Sequence, residues 1–130
     1  MPANKLVELL LVKATQDEYV LDKLVADQSA PQVIFGFHAQ QAVEKLLKAV
    51  LAHHGIEYQR THRLAELVDL ARDHEVQIPP FVEDLVDLTP YAVEFRYDAA
   101  PDEGDDFLDR ADVRQKIQTF RDWVVGHVRG

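Results

Sequence analysis

Between Pro31 and Gly55 apolar residues cover most of a helical circumference: Ile34, Phe35, Phe37, Ala39, Ala42, Val43, Leu46, Leu47, Ala49, Val50 and Leu51. A helix with so wide an apolar face cannot sit on a surface; it needs neighbours on two sides. Its ends are marked as well. Ser29 is a candidate N-cap, Pro31 suits a first helical turn, and Gly55 suits the left-handed residue that closes a helix. The rest of the chain must therefore supply the elements that cover this central rod.

Those elements also read as helices. From Asn4 to about Asp27, Leu6, Leu9, Leu10, Val20, Leu21, Leu24 and Val25 recur at helical spacing, with breaks at Lys13 and around Gln16–Glu18. Thr61 can cap a third helix with a Leu64, Leu67, Val68, Ala71 stripe that ends near His74. Pro79-Pro80 opens a short fourth helix through Phe81, Leu85, Val86 and Leu88, stopping before Pro90. The last helix runs from about Phe107 to His127 on Val113, Ile117, Phe120, Val124 and Val128. No segment alternates with period 2, and no internal repeat is evident. The expectation is one domain over residues 1–130: an all-α, up-and-down bundle of four to five helices.

Composition narrows the function. The 130 residues contain no cysteine, which removes disulfides, thiolate catalysis and Cys-ligated zinc. No apolar run reaches the ~20 residues of a membrane-spanning helix, and no secretory leader is visible, so a cytoplasmic protein is expected. The net charge of −9 argues against a general coat for phosphate backbones. The acidity is concentrated: residues 73–112 carry a net charge of −11, and residues 113–130 carry +3. That segment is either a solvated face or a surface for a basic partner.

Catalytic signatures are scarce. No phosphate loop, Gly-rich dinucleotide turn, HExxH pair or nucleophile elbow occurs. The adjacent His53 and His54 diverge by about 100° on a helix and cannot chelate one ion together. The acidic run from Asp98 to Asp106 lacks EF-hand spacing. No metal and no cofactor are expected. Arg96-Tyr97 stands out within the acidic segment, since a guanidinium among rings can grip a phosphate while a ring stacks on a base; pairing of Arg96 with a nearby carboxylate is the alternative. Arg121 and His127 form a second candidate. Such a pair can serve metal-independent ribonuclease chemistry, with the histidine moving the proton and the arginine stabilising phosphorane charge. Their six-residue offset separates the side chains by about 120° on an ideal helix.

The run Phe37-His-Ala-Gln-Gln-Ala-Val-Glu-Lys-Leu-Leu-Lys-Ala-Val-Leu51 resembles the most recurrent segment of HEPN domains (higher eukaryotes and prokaryotes nucleotide-binding). Thr61-His62-x-Leu64-x-x-Leu67 resembles the family's Thr-His-x-Leu helix start, and Tyr91-x-x-x-x-Arg96-Tyr97 resembles its Tyr…Arg-Tyr-Pro element. The resemblance spans about residues 5–128. It implies a helical bundle, commonly a homodimer, and often a bacterial or archaeal protein that binds a minimal nucleotidyltransferase in a two-gene module of toxin–antitoxin type. Family positions for nucleotide or partner binding fall on Tyr91, Arg96 and Tyr97, and on Gln41, Glu44 and Lys45, which could pair with Arg96 across the bundle. The chain departs in two places. Asp98 stands where the family usually has proline. The Arg-x5-His pair, Arg121 and His127, is followed only by Val128-Arg129-Gly130, with no tyrosine, and Gly126 suggests a fraying helix end there.

Three functions follow. The first is a non-catalytic HEPN homodimer that associates with a nucleotidyltransferase and helps bind nucleotide or RNA. The second is a metal-independent endoribonuclease toxin using Arg121 and His127. The third is a bundle that serves oligomerisation alone.

Overall fold

The computed structural model describes residues 3–94 and 108–130. Helices α1 (Ala3–Leu24), α2 (Gln32–His53) and α6 (Arg110–Arg129) form the frame. Shorter elements pack against α2 and α6: α3 (Leu64–Asp73), a 3-10 turn (Pro80–Val82), α4 (Glu83–Val86) and α5 (Pro90–Glu94). No strand occurs among the described residues. The fold is the expected all-α bundle, with no helix long and apolar enough to cross a membrane among the described residues.

The apolar breadth of α2 is matched by its burial. Phe35, Ala39, Ala42, Val43, Leu46, Leu47, Val50 and Leu51 are all sealed from solvent. α1 and α6 pack on α2 and on each other. Arg110 at the start of α6 donates to the carbonyls of Leu24 and Ala30, whereas Arg129 at its end pairs with Glu8, so α6 is antiparallel to α1. It runs parallel to α2: the amide of Leu108 donates to Gln32 (3.3 Å) and His127 meets His54 (2.7 Å).

Helix ends follow local chemistry. α2 closes in a Schellman motif: Gly55 (φ 68°) donates to the Ala52 carbonyl and Ile56 to that of Leu51. α3 closes the same way with Glu75 (φ 66°) in the left-handed position, where a non-glycine residue is strained. Asp109 caps α6 by accepting from the Asp112 amide (3.0 Å).

Several expected boundaries change. Ser29 does not cap α2; its amide and hydroxyl both donate to Asp27, and Pro31 occupies the cap without a side-chain bond. Thr61 lies two residues before Arg63, the cap of α3, and the Leu64 amide donates instead to Thr89 Oγ1 (3.2 Å). Pro90 begins a helix instead of blocking one, because the first helical position needs no amide proton. The last helix starts at Arg110 and extends through Arg129, so its end is helical past Gly126 and His127. The expected start at Phe107 and the acidic run Asp98–Asp106 lie outside the described residues.

Candidate functional site

α1 is continuous through Gln16–Glu18, and the broken apolar pattern there marks buried charge. Asp17 and Glu18 are both buried. Asp17 accepts from Lys45 Nζ at 2.5 Å through one oxygen and faces His38 Nδ1 at 3.0 Å through the other, tying α1 to α2. Glu18, only 3% exposed, accepts from Arg121 Nε at 2.6 Å and Arg114 at 3.3 Å, tying α1 to α6. Burial pushes the Glu18 carboxyl above its usual range, and the guanidiniums, Arg121 foremost, offset only part of that. Arg121 is further held by the Leu11 carbonyl (3.0 Å) and by the Thr15 hydroxyl. Arg114 also grips Asp22 through two nitrogens.

A second polar knot lies on α2. Gln40 is fully buried; its Nε2 donates to Glu44 Oε1 (3.0 Å) and to the His62 carbonyl (2.9 Å). Glu44, 5% exposed, also receives Lys48 (3.0 Å) and faces His62 Nδ1 (2.9 Å). Burial alone would raise the Glu44 carboxyl, but Gln40, His62 and Lys48 together hold it below its ordinary value. Gln41 donates to Gln40 Oε1 (2.7 Å) and remains half-buried. The knot draws the α2–α3 connection back along α2, so the Thr61-His62 motif is a structural anchor.

Tyr91 is buried on α5. Its hydroxyl accepts from Gln32 Nε2 (3.0 Å), and its ring lies over Gly36 of α2. Gln32 also accepts from the Leu108 amide, so one side chain joins α5 to the approach of α6. Arg96 and Tyr97 lie outside the described residues, and with them the expected pairing of Arg96 with Gln41, Glu44 or Lys45.

Arg121 and His127 face different neighbours. Arg121 points into the α1 seam. His127 stacks on Trp123 (centroids 4.6 Å, planes 14° apart) and meets His54 with Nε2 atoms 2.7 Å apart. Burial, and then neighbouring histidine charge, keeps both imidazoles below their ordinary pKa. His53 lies beside both rings. Among the described residues no group of three or more His, Asp or Glu is arranged to hold a metal ion. An open cleft of about 400 Å³ between the α1–α2 turn and the start of α6 is lined by Gln28, Gln32, Asp109 and Arg110, and none of the candidate residues that are described borders it.

Asp17, Glu18, His38, Gln40, His54, His62 and Trp123 were not singled out from the sequence as site residues. The usable signal was polar residues at buried helical phases: Asp17-Glu18 in the first helix and Gln40 amid the widest apolar face.

The class of protein is thus a helical bundle whose three long helices are locked by buried ion pairs, with half-exposed polar residues along α2. The HEPN domain family matches residues 30–126, about three quarters of the chain, from the turn before α2 to the last turns of α6. The chain belongs to the HEPN domain family. No curated protein and no solved structure matches the chain.

Proposed function

We propose that this protein is a HEPN-type nucleotide-binding and interaction module: a cytoplasmic homodimer that partners a minimal nucleotidyltransferase in a two-gene system of toxin–antitoxin type. The observation that carries this over ribonuclease activity is the engagement of Arg121. Its guanidinium is bound to a buried carboxylate, a hydroxyl and a carbonyl, so its charge is already compensated inside the bundle. An arginine that stabilises a phosphorane must instead present donors to the substrate. Gln41 is half-exposed on α2 and supplies a polar contact, while Lys45, paired with buried Asp17, and Tyr91 and Glu44 shape the region from within; Arg96 and Tyr97 complete the proposed nucleotide- or partner-binding set. A row of exposed apolar residues on α1, Leu9, Val12 and Tyr19, supports an interaction role.

Native mass spectrometry of the tagged protein captured from its own host tests the reading. A complex with a nucleotidyltransferase-sized subunit, or a retained nucleotide, is expected; a bare homodimer would count against partnering, and a monomer against the whole assembly.

The endoribonuclease reading retains one observation in its favour. His127 is half-exposed, and burial lowers its pKa, which favours the form that accepts a proton. Metal-free RNA cleavage by the wild type that is lost in both Arg121→Ala and His127→Ala, with both variants folded, would establish it. Equal cleavage by all three proteins would indicate contamination.

A further inference from the structure

We propose that His54 and His127 form a two-imidazole binding site for a borderline divalent cation, Zn²⁺, Ni²⁺ or Cu²⁺, that staples the end of α2 to the end of α6. The two residues are 73 positions apart, and their Nε2 atoms converge to 2.7 Å. At that separation one ring donates its proton to the other's lone pair. A metal ion replaces this shared proton directly: with Zn–N bonds of about 2.0–2.1 Å in tetrahedral geometry, the nitrogens must part to about 3.3 Å. An opening of about 0.6 Å is within reach of small side-chain rotations at exposed helix ends. The ring that donated moves its proton to Nδ1, so neutral imidazoles bind the ion without net proton release. Water completes the coordination sphere, as no third His, Asp or Glu among the described residues is arranged to join them.

The site is held in place before any ion arrives. Stacking on Trp123 fixes the plane of His127, and His54 is the cap residue of α2, where Gly55 and Ile56 close the helix. Imidazole donors suit Zn²⁺, Ni²⁺ and Cu²⁺ and disfavour Mg²⁺ or Ca²⁺, which seek oxygen. The proposal does not rest on the nucleotidyltransferase partnership. It does bear on the ribonuclease reading, because a metal bound to the His127 imidazole would compete with its use in proton transfer.

The chain has a single tryptophan, and it is the one stacked on His127, so its fluorescence reports directly on the site. Untagged, chelator-treated protein is titrated with Cu²⁺, with Zn²⁺ as competitor, and the Cu²⁺ complex is examined by electron paramagnetic resonance. Saturable quenching at one ion per chain is expected, reversed by a large excess of Zn²⁺ because Cu²⁺ binds imidazole more tightly, with coupling to two imidazole nitrogens. His54→Gln and His127→Gln should each raise the midpoint at least about tenfold and leave coupling to one nitrogen, consistent with loss of one of two ligands. His74→Gln, at a histidine whose ring meets the Leu70 carbonyl away from this pair, should leave the midpoint unchanged. Far-UV circular dichroism confirms that the variants fold. Non-saturable quenching of the wild type, or a shift of less than about tenfold in either pair variant, overturns the proposal.

Discussion

At Gly36 the backbone of α2 meets the ring of Tyr91, and a Cβ built there would lie 2.5 Å from Cγ and 2.6 Å from Cε1 of that ring. Neither partner can yield easily, because the Tyr91 hydroxyl is held by Gln32. Gly36→Ala should therefore destabilise by about 1–3 kcal/mol through overpacking, seen as a lower urea midpoint with an unchanged slope. Glu75 gives the opposite sign. It occupies the left-handed closing position of α3 at φ 66°, and Glu75→Gly should stabilise by about 0.5–1 kcal/mol, the relief of strain exceeding the extra unfolded-state entropy. Glu44 sets an acid limit. Its folded pKa lies below the ordinary 4.5, so its contribution is full above that value and is lost as pH falls through the lower folded value. Urea midpoints measured from pH 6 to pH 3 should fall less steeply in Glu44→Gln than in the wild type, although the variant starts lower because Lys48 loses its partner.

Among the elements, the α1–α6 seam depends most on charge. Glu18 takes both Arg121 and Arg114, and the exposed Asp22 takes Arg114 again, so four charges interlock around one buried carboxylate. Removing one partner of a buried pair leaves the other uncompensated and typically costs about 3–5 kcal/mol. Arg121→Ala is expected near the low end, about 3 kcal/mol, because Arg114 still neutralises Glu18. Thermal unfolding checks this, and it matters for function. A large stability loss at Arg121 marks a structural residue, whereas an arginine waiting for phosphate would be lost with little effect on the midpoint. α5 carries a different lesson. Pro90 read as a stop from the sequence alone, yet proline is suited to a first turn, and which role it takes depends on whether the following residues have something to pack against. Tyr91 has Gly36.

For the molecule as a whole, the open question is what covers α1. Leu9, Val12 and Tyr19 are 41%, 53% and 62% exposed and follow one another along a single helical face. If the proposed homodimer or its partner uses this face, Leu9→Glu with Val12→Glu should shift the mass measured by light scattering towards the monomer or abolish capture of the partner. The fold should be kept, since neither residue belongs to the buried core. An unchanged mass would move the interface elsewhere.

Much of the architecture was legible because it depends on short-range pattern. α2 was bounded to within a residue or two: Pro31 suits a first turn, Gly55 suits a left-handed close, and the apolar residues between them had to be covered. Family membership was legible for the same reason, since its motif lies on that helix. The polar seams were not. Asp17 and Glu18 looked like an interruption of a helix, and they are its anchors, because their partners Lys45 and Arg121 lie 28 and 103 positions away. The likeness of Arg121 and His127 to a catalytic pair was likewise visible in spacing, while their separate commitments, one to Glu18 and one to His54, belong to the packing of α6 between two other helices. Local pattern sets which faces must be buried, because hydrophobic burial is non-directional and additive along a helix. Which charges meet inside is set only when the helices come together, because a buried ion pair is stable only with its partner a few ångströms away.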